Sequence, residues 1–196
     1  MDDVERIAEL LRARNAVDTL IADVINRPMA SGHLGEWLAF RIFGLAPAMH
    51  AAVAGFDGTF SGGPLDGRTV NVKWYLKREG MLDIAATRPD YYLVMTGPAA
   101  PAVTSAGTTR PWCIDAVFLF DTARLEAELH DRGVAVGTAT SVRAMQWAAA
   151  QVYPDANNPA LVLDERQRQQ LRLFATPPLH GPAAGQRGGP QVPRST

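Results

Sequence analysis

Near the middle of this chain, a turn signal precedes a run of strictly alternating apolar and polar residues. The turn signal is Pro64-Leu65-Asp66-Gly67; proline presets φ and glycine accepts positive φ, so this order favours a reversal of the chain. Alternation with a period of two from residue 69 to 76 predicts a β-strand with one buried face. The apolar positions are Val70, Val72, Trp74 and Leu76, and the polar positions are Asn71, Lys73 and Tyr75. We therefore expect a β-hairpin over residues 51–77, with residues 52–60 as its first arm.

Apolar residues at steps of three and four predict helices on both sides of this hairpin, and continuous apolar runs predict further strands. The predicted helices cover residues 2–25, 30–44, 121–131, 141–152 and 164–174. The predicted strands cover residues 90–95 and 111–120, with a short strand at 134–136. The expected fold class is α/β: a mixed β-sheet flanked by helices, with an N-terminal helix and extra helices toward the C-terminus.

Composition divides the chain into three parts. Residues 1–28 form the N-terminal helix, which could pack on the domain or pair with a second copy of the chain. Residues 29–175 form the α/β domain. Residues 176–196 contain five prolines, four glycines and no acidic residue, which predicts a disordered tail.

Charge and cysteine content restrict the partners and the compartment. The net charge is −1, so the chain lacks an overall basic field, and binding of nucleic acid requires a local basic patch. The single cysteine, Cys113, allows no intrachain disulfide, which is typical of a reducing compartment. The first residues lack the pattern of a signal peptide, and no apolar run is long enough to cross a bilayer. We therefore expect a cytoplasmic protein without a membrane partner.

Three ionisable residues lie on the predicted hairpin or on the helix before it. Glu36 lies on the preceding helix, Asp57 lies in Gly55-Phe56-Asp57-Gly58 on the first arm, and Lys73 ends Asn71-Val72-Lys73 on the second arm. This arrangement resembles the PD-(D/E)xK superfamily, which has the restriction-endonuclease-like fold. The resemblance covers roughly residues 30–120. It implies a metal-dependent phosphodiesterase that acts on nucleic acid, with DNA as the expected substrate.

The resemblance also implies a role for each residue. Mg²⁺ (or Mn²⁺) lowers the pKa of bound water, neutralises phosphate oxygens and prefers oxygen ligands. The implied ligands are Asp57, the residue at position 71 and the carbonyl of Val72, with Glu36 as an outer ligand. Lys73 is expected to stabilise the charge that develops in the transition state. Position 71 departs from the pattern, because the neutral residue Asn71 stands where the superfamily carries an acidic residue.

This departure leaves two functions open. The first is an active enzyme with Asp57, Lys73, Glu36 and Asn71 as its catalytic residues. The alternative is a catalytically inactive module of the same fold that binds nucleic acid or protein, because Asn71 supplies an amide oxygen without a negative charge.

Four basic residues are candidates for the local patch that binds nucleic acid. Lys77 and Arg78 follow the strand that carries Lys73, Arg68 precedes that strand, and Arg143 lies near the start of a later helix. Contacts between these residues and phosphates would make binding depend on salt.

The register of the hairpin is left open by the sequence. Asp57 and Lys73 each lie eight residues from Leu65, so a hairpin centred there would bring them together across the strands. A two-residue loop centred between Leu65 and Asp66 would instead place Asp57 opposite Trp74 on the other face, unless a bulge corrects the register.

Overall fold

The structure of the protein is a computed structural model that describes residues 2–48, 55–99 and 111–177. Its helices are α1 (Asp3–Ile25), α2 (Ser31–Phe43), α3 (Thr122–His130), α4 (Ala144–Ala150) and α5 (Glu165–Arg172). Its strands are β1 (Leu45–Pro47), β2 (Gly58–Phe60), β3 (Thr69–Tyr75), β4 (Met81–Leu82), β5 (Tyr91–Thr96), β6 (Ala116–Asp121), β7 (Thr140–Ser141) and β8 (Gln151–Tyr153).

Within the described residues, six strands form one mixed sheet in the order β1-β2-β3-β5-β6-β8. β3 and β5 run parallel, with Val72 opposite Leu93. The other neighbouring pairs in this sheet run antiparallel. β4 and β7 pair separately in a small antiparallel sheet. The mixed α/β architecture predicted from the sequence is confirmed.

The large sheet is covered by apolar packing on both faces. One face carries Val70, Val72 and Trp74 and packs against side chains of α2 and α5. The other face carries Tyr92, Val94 and Phe118 and packs against side chains of α3 and α4. Because side chains alternate along a strand, Asn71 and Lys73 belong to the second face of β3. The alternating run in the sequence therefore specifies which side chains of β3 share a face.

The turn between β2 and β3 contains the predicted Pro-Leu-Asp-Gly signal but is longer than a two-residue loop. A single 3-10 turn occupies Gly63–Leu65. Asp66 stabilises the turn, because its Oδ1 accepts a hydrogen bond from the Gly62 N–H at 2.6 Å. Gly67 has a φ of 73°, a value that glycine adopts without the steric cost of a side chain.

Tertiary pairing changes the predicted elements of the C-terminal half. Residues 134–136 form no strand; the short strand of this region is β7, which pairs with β4. The predicted helix 141–152 is shorter and ends at Ala150, because Gln151–Tyr153 pairs with β6 as β8. Pairing with an available sheet edge outweighs the helical preference of an alanine-rich run.

Some predictions lie outside the described residues. These are residues 51–54 of the predicted hairpin and residues 178–196 of the predicted tail. None of the described helices combines the length and the apolar character that crossing a bilayer requires.

Candidate functional site

Asp57 lies immediately before β2 and is held by three hydrogen bonds, two to β3 and one to the residue after β1. Its N–H donates to the Val70 carbonyl (3.0 Å), and its carbonyl accepts from the Ala48 N–H (3.0 Å). Its Oδ2 accepts from the backbone N–H of Val72 at 2.6 Å. The Asp57 carboxylate therefore accepts a hydrogen bond from a β3 amide just before β2 begins, and this bond fixes the position of the carboxylate oxygens.

Gly58 allows the close approach of strands that positions Asp57. A Cβ atom at position 58 would lie 2.5 Å from the carbonyl oxygen of Ala46 and 3.2 Å from the ring of Phe40. Since the nearer atom belongs to the backbone of β1, a side chain at this position would push β1 and β2 apart.

The observed register differs from both alternatives considered for the hairpin. Gly58 is opposite Val70, and Thr59 is opposite Thr69. The regular pairing does not continue to Asp57, because the Asp57 N–H bonds to the carbonyl of Val70 (3.0 Å), the residue that Gly58 already faces. Two residues opposite one is the pattern of a β-bulge, so Asp57 is opposite neither Lys73 nor Trp74. Alternation along β3 places Asn71 and Lys73 on one face.

Asn71 is buried on β3, next to Val72. Only 8 % of its surface is exposed, and its Oδ1 has no hydrogen-bond partner among the described residues. A buried polar atom without a partner costs free energy, commonly about 1–3 kcal/mol. The Oδ1 atom of Asn71 is therefore a buried acceptor that packing alone does not explain.

The carbonyl of Val72 lies on the same edge of β3 as the Asp57 carboxylate. In a strand, the N–H and C=O of one residue point to the same side. The Val72 N–H points toward Asp57, so the Val72 carbonyl is directed to that side as well. The Asp57 carboxylate and the Val72 carbonyl, which are two of the predicted metal ligands, therefore lie on the same side of β3.

Glu36 lies on α2, and its carboxylate forms an ion pair with the guanidinium of Arg27. The Arg27 Nη1 lies 2.5 Å from the Glu36 Oε2. The preceding residue, Gly35, faces the sheet: a Cβ there would lie 3.0 Å from the Cβ of Trp74. Glycine at position 35 thus lets α2 approach β3 closely and brings Glu36 toward the edge where Asp57 lies.

Burial and neighbouring charges act on Asp57 in opposite directions. Burial has the largest effect and raises the pKa of the Asp57 carboxyl above its ordinary value, and the Glu36 carboxylate raises this pKa further. The hydrogen bond from Val72 and the positive charges of Lys73 and Arg27 lower the same pKa but do not cancel the rise. Asp57, Glu36, Lys73 and Arg27 therefore form one electrostatically coupled group.

Lys73 is half-buried in the middle of β3. In the part of the chain that the structure describes, its ammonium group forms no hydrogen bond and no ion pair within 4 Å. Its charge still lowers the pKa of Asp57. A cation held in the middle of a strand without a direct protein partner is available to an anionic ligand.

The donor set suits one hard cation that keeps several waters. Asp57 and Glu36 supply carboxylates, Asn71 supplies a partnerless oxygen and Val72 supplies a carbonyl, and these are the ligand types that Mg²⁺ prefers. No group of three or more His, Cys, Asp or Glu side chains in the described ranges is arranged to hold a metal. Binding of such a cation would therefore depend on the neutral Oδ1 of Asn71, a buried atom without a hydrogen-bond partner among the described residues.

The four candidate residues for nucleic-acid binding do not form one patch. Arg68 precedes β3, whereas Lys77 and Arg78 follow it. A strand of this length separates its ends by roughly 20–25 Å. Val142 donates its N–H to the Gly80 carbonyl (3.0 Å), which places the neighbouring Arg143 on the side of Lys77 and Arg78.

Three of these four cations already have a local partner. Arg68 pairs with Asp90 (3.1 Å), and Lys77 pairs with Glu79 (3.3 Å) with only 8 % of the lysine side chain exposed. Arg78 lies over the ring of Phe118, with its Cζ 5.4 Å from the ring centroid. Arg143 is exposed, and its guanidinium forms no ion pair or ring contact with a described residue.

Sequence reasoning missed Arg27 as a residue of the site. Arg27 lies in the link between α1 and α2, directly after Asn26, which has a left-handed φ of 53°. The link residues carry no periodic signal, so their contact with Glu36 could not be predicted from the sequence. Asn26 was the only available hint, because asparagine tolerates this conformation at a helix end.

Two clefts among the described residues lie away from this group. A cleft of about 660 Å³ is lined by Arg68, Asp90 and Glu126, among others. A cleft of about 420 Å³ lies between Tyr91 and Met145. Neither cleft includes Asp57, Asn71 or Lys73, so the candidate site is defined by its charges and not by an enclosed cavity.

No protein-family model matches the sequence, and no curated protein matches it significantly.

Proposed function

We propose that this protein is a metal-dependent phosphodiesterase that acts on nucleic acid, with DNA as the substrate. The observation that carries the proposal is the Asp57 carboxylate, which is fixed on the edge of β3 by the Val72 N–H at 2.6 Å. Around it lie the coupled charges of Glu36, Lys73 and Arg27. The resemblance of these residues to the PD-(D/E)xK pattern supports the same reaction.

Asp57, Asn71 and the Val72 carbonyl would hold Mg²⁺ or Mn²⁺, with Glu36 as an outer ligand. When bound, such a cation supplies a more acidic water and neutralises phosphate oxygens. Asp57 is the only charged inner ligand of this set, so its ionisation governs binding. Lys73 offers its free ammonium group to the phosphate, where it stabilises the negative charge of the transition state.

The proposed partners are DNA and a second copy of the chain. Arg143 is the cation most available to a phosphate, because Arg68, Lys77 and Arg78 are engaged locally. Action on DNA is consistent with a cytoplasmic location, which we propose on the basis of the cysteine content.

A second function is favoured by two specific observations. Asn71 is neutral, and Arg27 pairs with Glu36, so within the proposed ligand set only Asp57 supplies a carboxylate without an ion pair among the described residues. A site with so little negative charge binds divalent cations weakly. The alternative is therefore a catalytically inactive module that binds nucleic acid or protein through the same surface.

Cleavage of supercoiled plasmid DNA in Mg²⁺ or Mn²⁺ tests the proposal. We expect wild type to cut, and Asp57→Asn and Lys73→Met to lose activity by about 100-fold or more. Asp66→Asn is the matched control, since Asp66 lies in the adjacent turn and bonds to Gly62; this variant should cut normally. A folded wild type that binds DNA without cutting it in either metal would support the inactive module instead.

A further inference from the structure

Helix α1 exposes most of its apolar side chains to solvent. It is 23 residues long, and burial concentrates in its last two turns, where Ile25 is buried and Asp18, Ile21 and Ala22 are half-buried. Seven large apolar side chains of α1 are more than half exposed: Val4, Ile7, Leu10, Leu11, Val17, Leu20 and Val24. Isolated helices are marginal in water, and helices in proteins are stabilised mainly by packing of an apolar face.

Part of this exposed surface follows a heptad pattern. Leu10, Ala13, Val17, Leu20 and Val24 recur at alternating steps of three and four residues, and we call them the α1 seam. In a heptad, Leu10, Val17 and Val24 take position a, whereas Ala13 and Leu20 take position d. β-Branched residues at a with leucine at d favour parallel two-stranded coiled coils.

The α1 seam points away from the side of α1 that packs on the domain. At 100° per residue, the seam is centred about 110° around the helix from the half-buried residues of the last two turns. A second helix can therefore lie along the seam without displacing the contacts of Ile25 and its neighbours.

Charges beside the seam select the orientation of a second helix. Glu9 takes position g and Arg14 takes position e. In a parallel pair, g of one helix faces e of the next heptad on its partner, so Glu9 and Arg14 attract each other twice per dimer. In an antiparallel pair, g faces g and e faces e, which brings Glu9 near Asp23 and Arg14 near Arg14. Arg14 is available for this pairing because its bond to Asp18 (3.4 Å) lies on the exposed surface.

We propose that two copies of this chain associate through a parallel pairing of their α1 seams. The seam extends over about 21 Å from Leu10 to Val24. That length is short compared with a standard interface of about 800 Å² per partner. The dimer is accordingly weak, with a dissociation constant of about micromolar or above, and its population depends on protein concentration.

Sedimentation equilibrium of the full chain over about 1 μM to 1 mM tests the association. We expect the average mass of wild type to rise toward twice the monomer mass, and Leu20→Glu to remain monomeric over the same range. Leu11→Glu is the matched control, because Leu11 is similarly exposed (51 %, against 66 % for Leu20) but lies outside the seam. A wild type that is monomeric throughout, or a Leu11→Glu variant as monomeric as Leu20→Glu, would overturn the proposal.

Charge reversal tests the orientation. Glu9→Arg and Arg14→Glu should each weaken the dimer about fivefold, and mixing the two variants should restore association as a heterodimer. If Glu9→Arg strengthens the dimer, the helices pair in antiparallel orientation and the proposal is wrong.

Disulfide trapping gives an independent readout of orientation. In a Cys113→Ala background, Leu10→Cys and Val24→Cys should each form disulfide-linked dimers, because equal positions meet only in a parallel pair. In the antiparallel pairing, position a faces position d, so Leu10 would meet Leu20. Absence of both links, while a mixture of Leu10→Cys and Leu20→Cys becomes linked, would show the antiparallel arrangement and refute the proposal.

Discussion

Burial disfavours the ionised form of the Asp57 carboxyl, and few neighbouring groups stabilise that form. Desolvation raises its pKa, and the Val72 N–H and the cations Lys73 and Arg27 counter only part of the rise. Beside it, Asn71 buries an oxygen without a partner. Structural stability alone favours neither feature, since both cost free energy in the folded state. Both are accounted for if a cation binds between them.

Asp57→Asn should make the protein without metal more stable at neutral pH. The folded-state pKa of Asp57 is raised, so the cost of its ionisation is absent below the unfolded pKa and grows as pH rises through the folded pKa. The amide oxygen of the variant can still accept from Val72. Urea unfolding at pH 3.5 and pH 7 should show a gain for the variant at pH 7 alone, whereas an equal change at both pH values would contradict the ionisation argument.

Wild type and Asp57→Asn should also differ in their response to metal. A cation that binds the Asp57 carboxylate raises the melting temperature of wild type in millimolar Mg²⁺ or Mn²⁺. The variant should show no such rise. If both proteins gain the same melting temperature, the cation binds elsewhere.

Asn71→Asp should strengthen metal binding and destabilise the metal-free protein. The substitution adds a negative charge beside Asp57, so we expect the dissociation constant for Mg²⁺ to fall about tenfold in calorimetric titration. The same charge repels Asp57, so the free energy of unfolding without metal should fall. Asn15→Asp on the exposed surface of α1 changes the net charge equally and should alter neither quantity.

At the scale of elements, two glycines set the distances between the segments that carry the site. Gly58 permits the contact of β2 with β1, and Gly35 permits the contact of α2 with Trp74 on β3. In both places the neighbouring residue belongs to the site: Asp57 precedes Gly58, and Glu36 follows Gly35. The position of the two carboxylates therefore depends on close backbone packing nearby.

Gly35→Ala should lower the free energy of unfolding by about 1–2 kcal/mol. Its Cβ would lie 3.0 Å from the Cβ of Trp74, and this crowding outweighs the gain of about 1 kcal/mol that alanine brings to a helix. Gly32→Ala in the same helix meets nothing within 4 Å and should leave stability unchanged or raise it. Urea denaturation of both variants measures the difference, and equal effects would show that the approach of α2 to β3 is not tight.

At the scale of the whole molecule, charge is distributed in local pairs rather than in one basic surface. The net charge is −1, and Arg68, Lys77 and Arg78 are each engaged by a neighbour. A molecule with a net charge near zero has no overall positive field that attracts a polyanion such as DNA. The binding of DNA that we propose would therefore use cations without a partner among the described residues, such as Arg143 and Lys73.

Arg143→Ala should weaken DNA binding about three- to tenfold and reduce the salt dependence by roughly one phosphate contact. Arg124→Ala removes an exposed arginine that pairs with Glu128 (2.9 Å) and should have little effect. Fluorescence anisotropy with a labelled duplex at several salt concentrations measures both. Equal losses for the two variants would indicate a response to net charge and not a contact made by Arg143.

The elements whose signals are local could be predicted from the sequence. The alternation of β3, the turn before it, the helices α1 and α2 and the mixed α/β class follow from backbone periodicity and turn chemistry, which depend on neighbours along the chain. The identities of Asp57, Glu36 and Lys73 as candidates also came from their positions around the hairpin.

The contacts between distant segments follow from the tertiary structure. It set Gly58 opposite Val70, converted Gln151–Tyr153 into β8, joined Arg27 to Glu36 and engaged Lys77 with Glu79. The physical reason is that register, strand pairing at a sheet edge and ion pairing are chosen by packing of the whole molecule, in which a local preference worth less than about 1 kcal/mol per residue is readily outweighed.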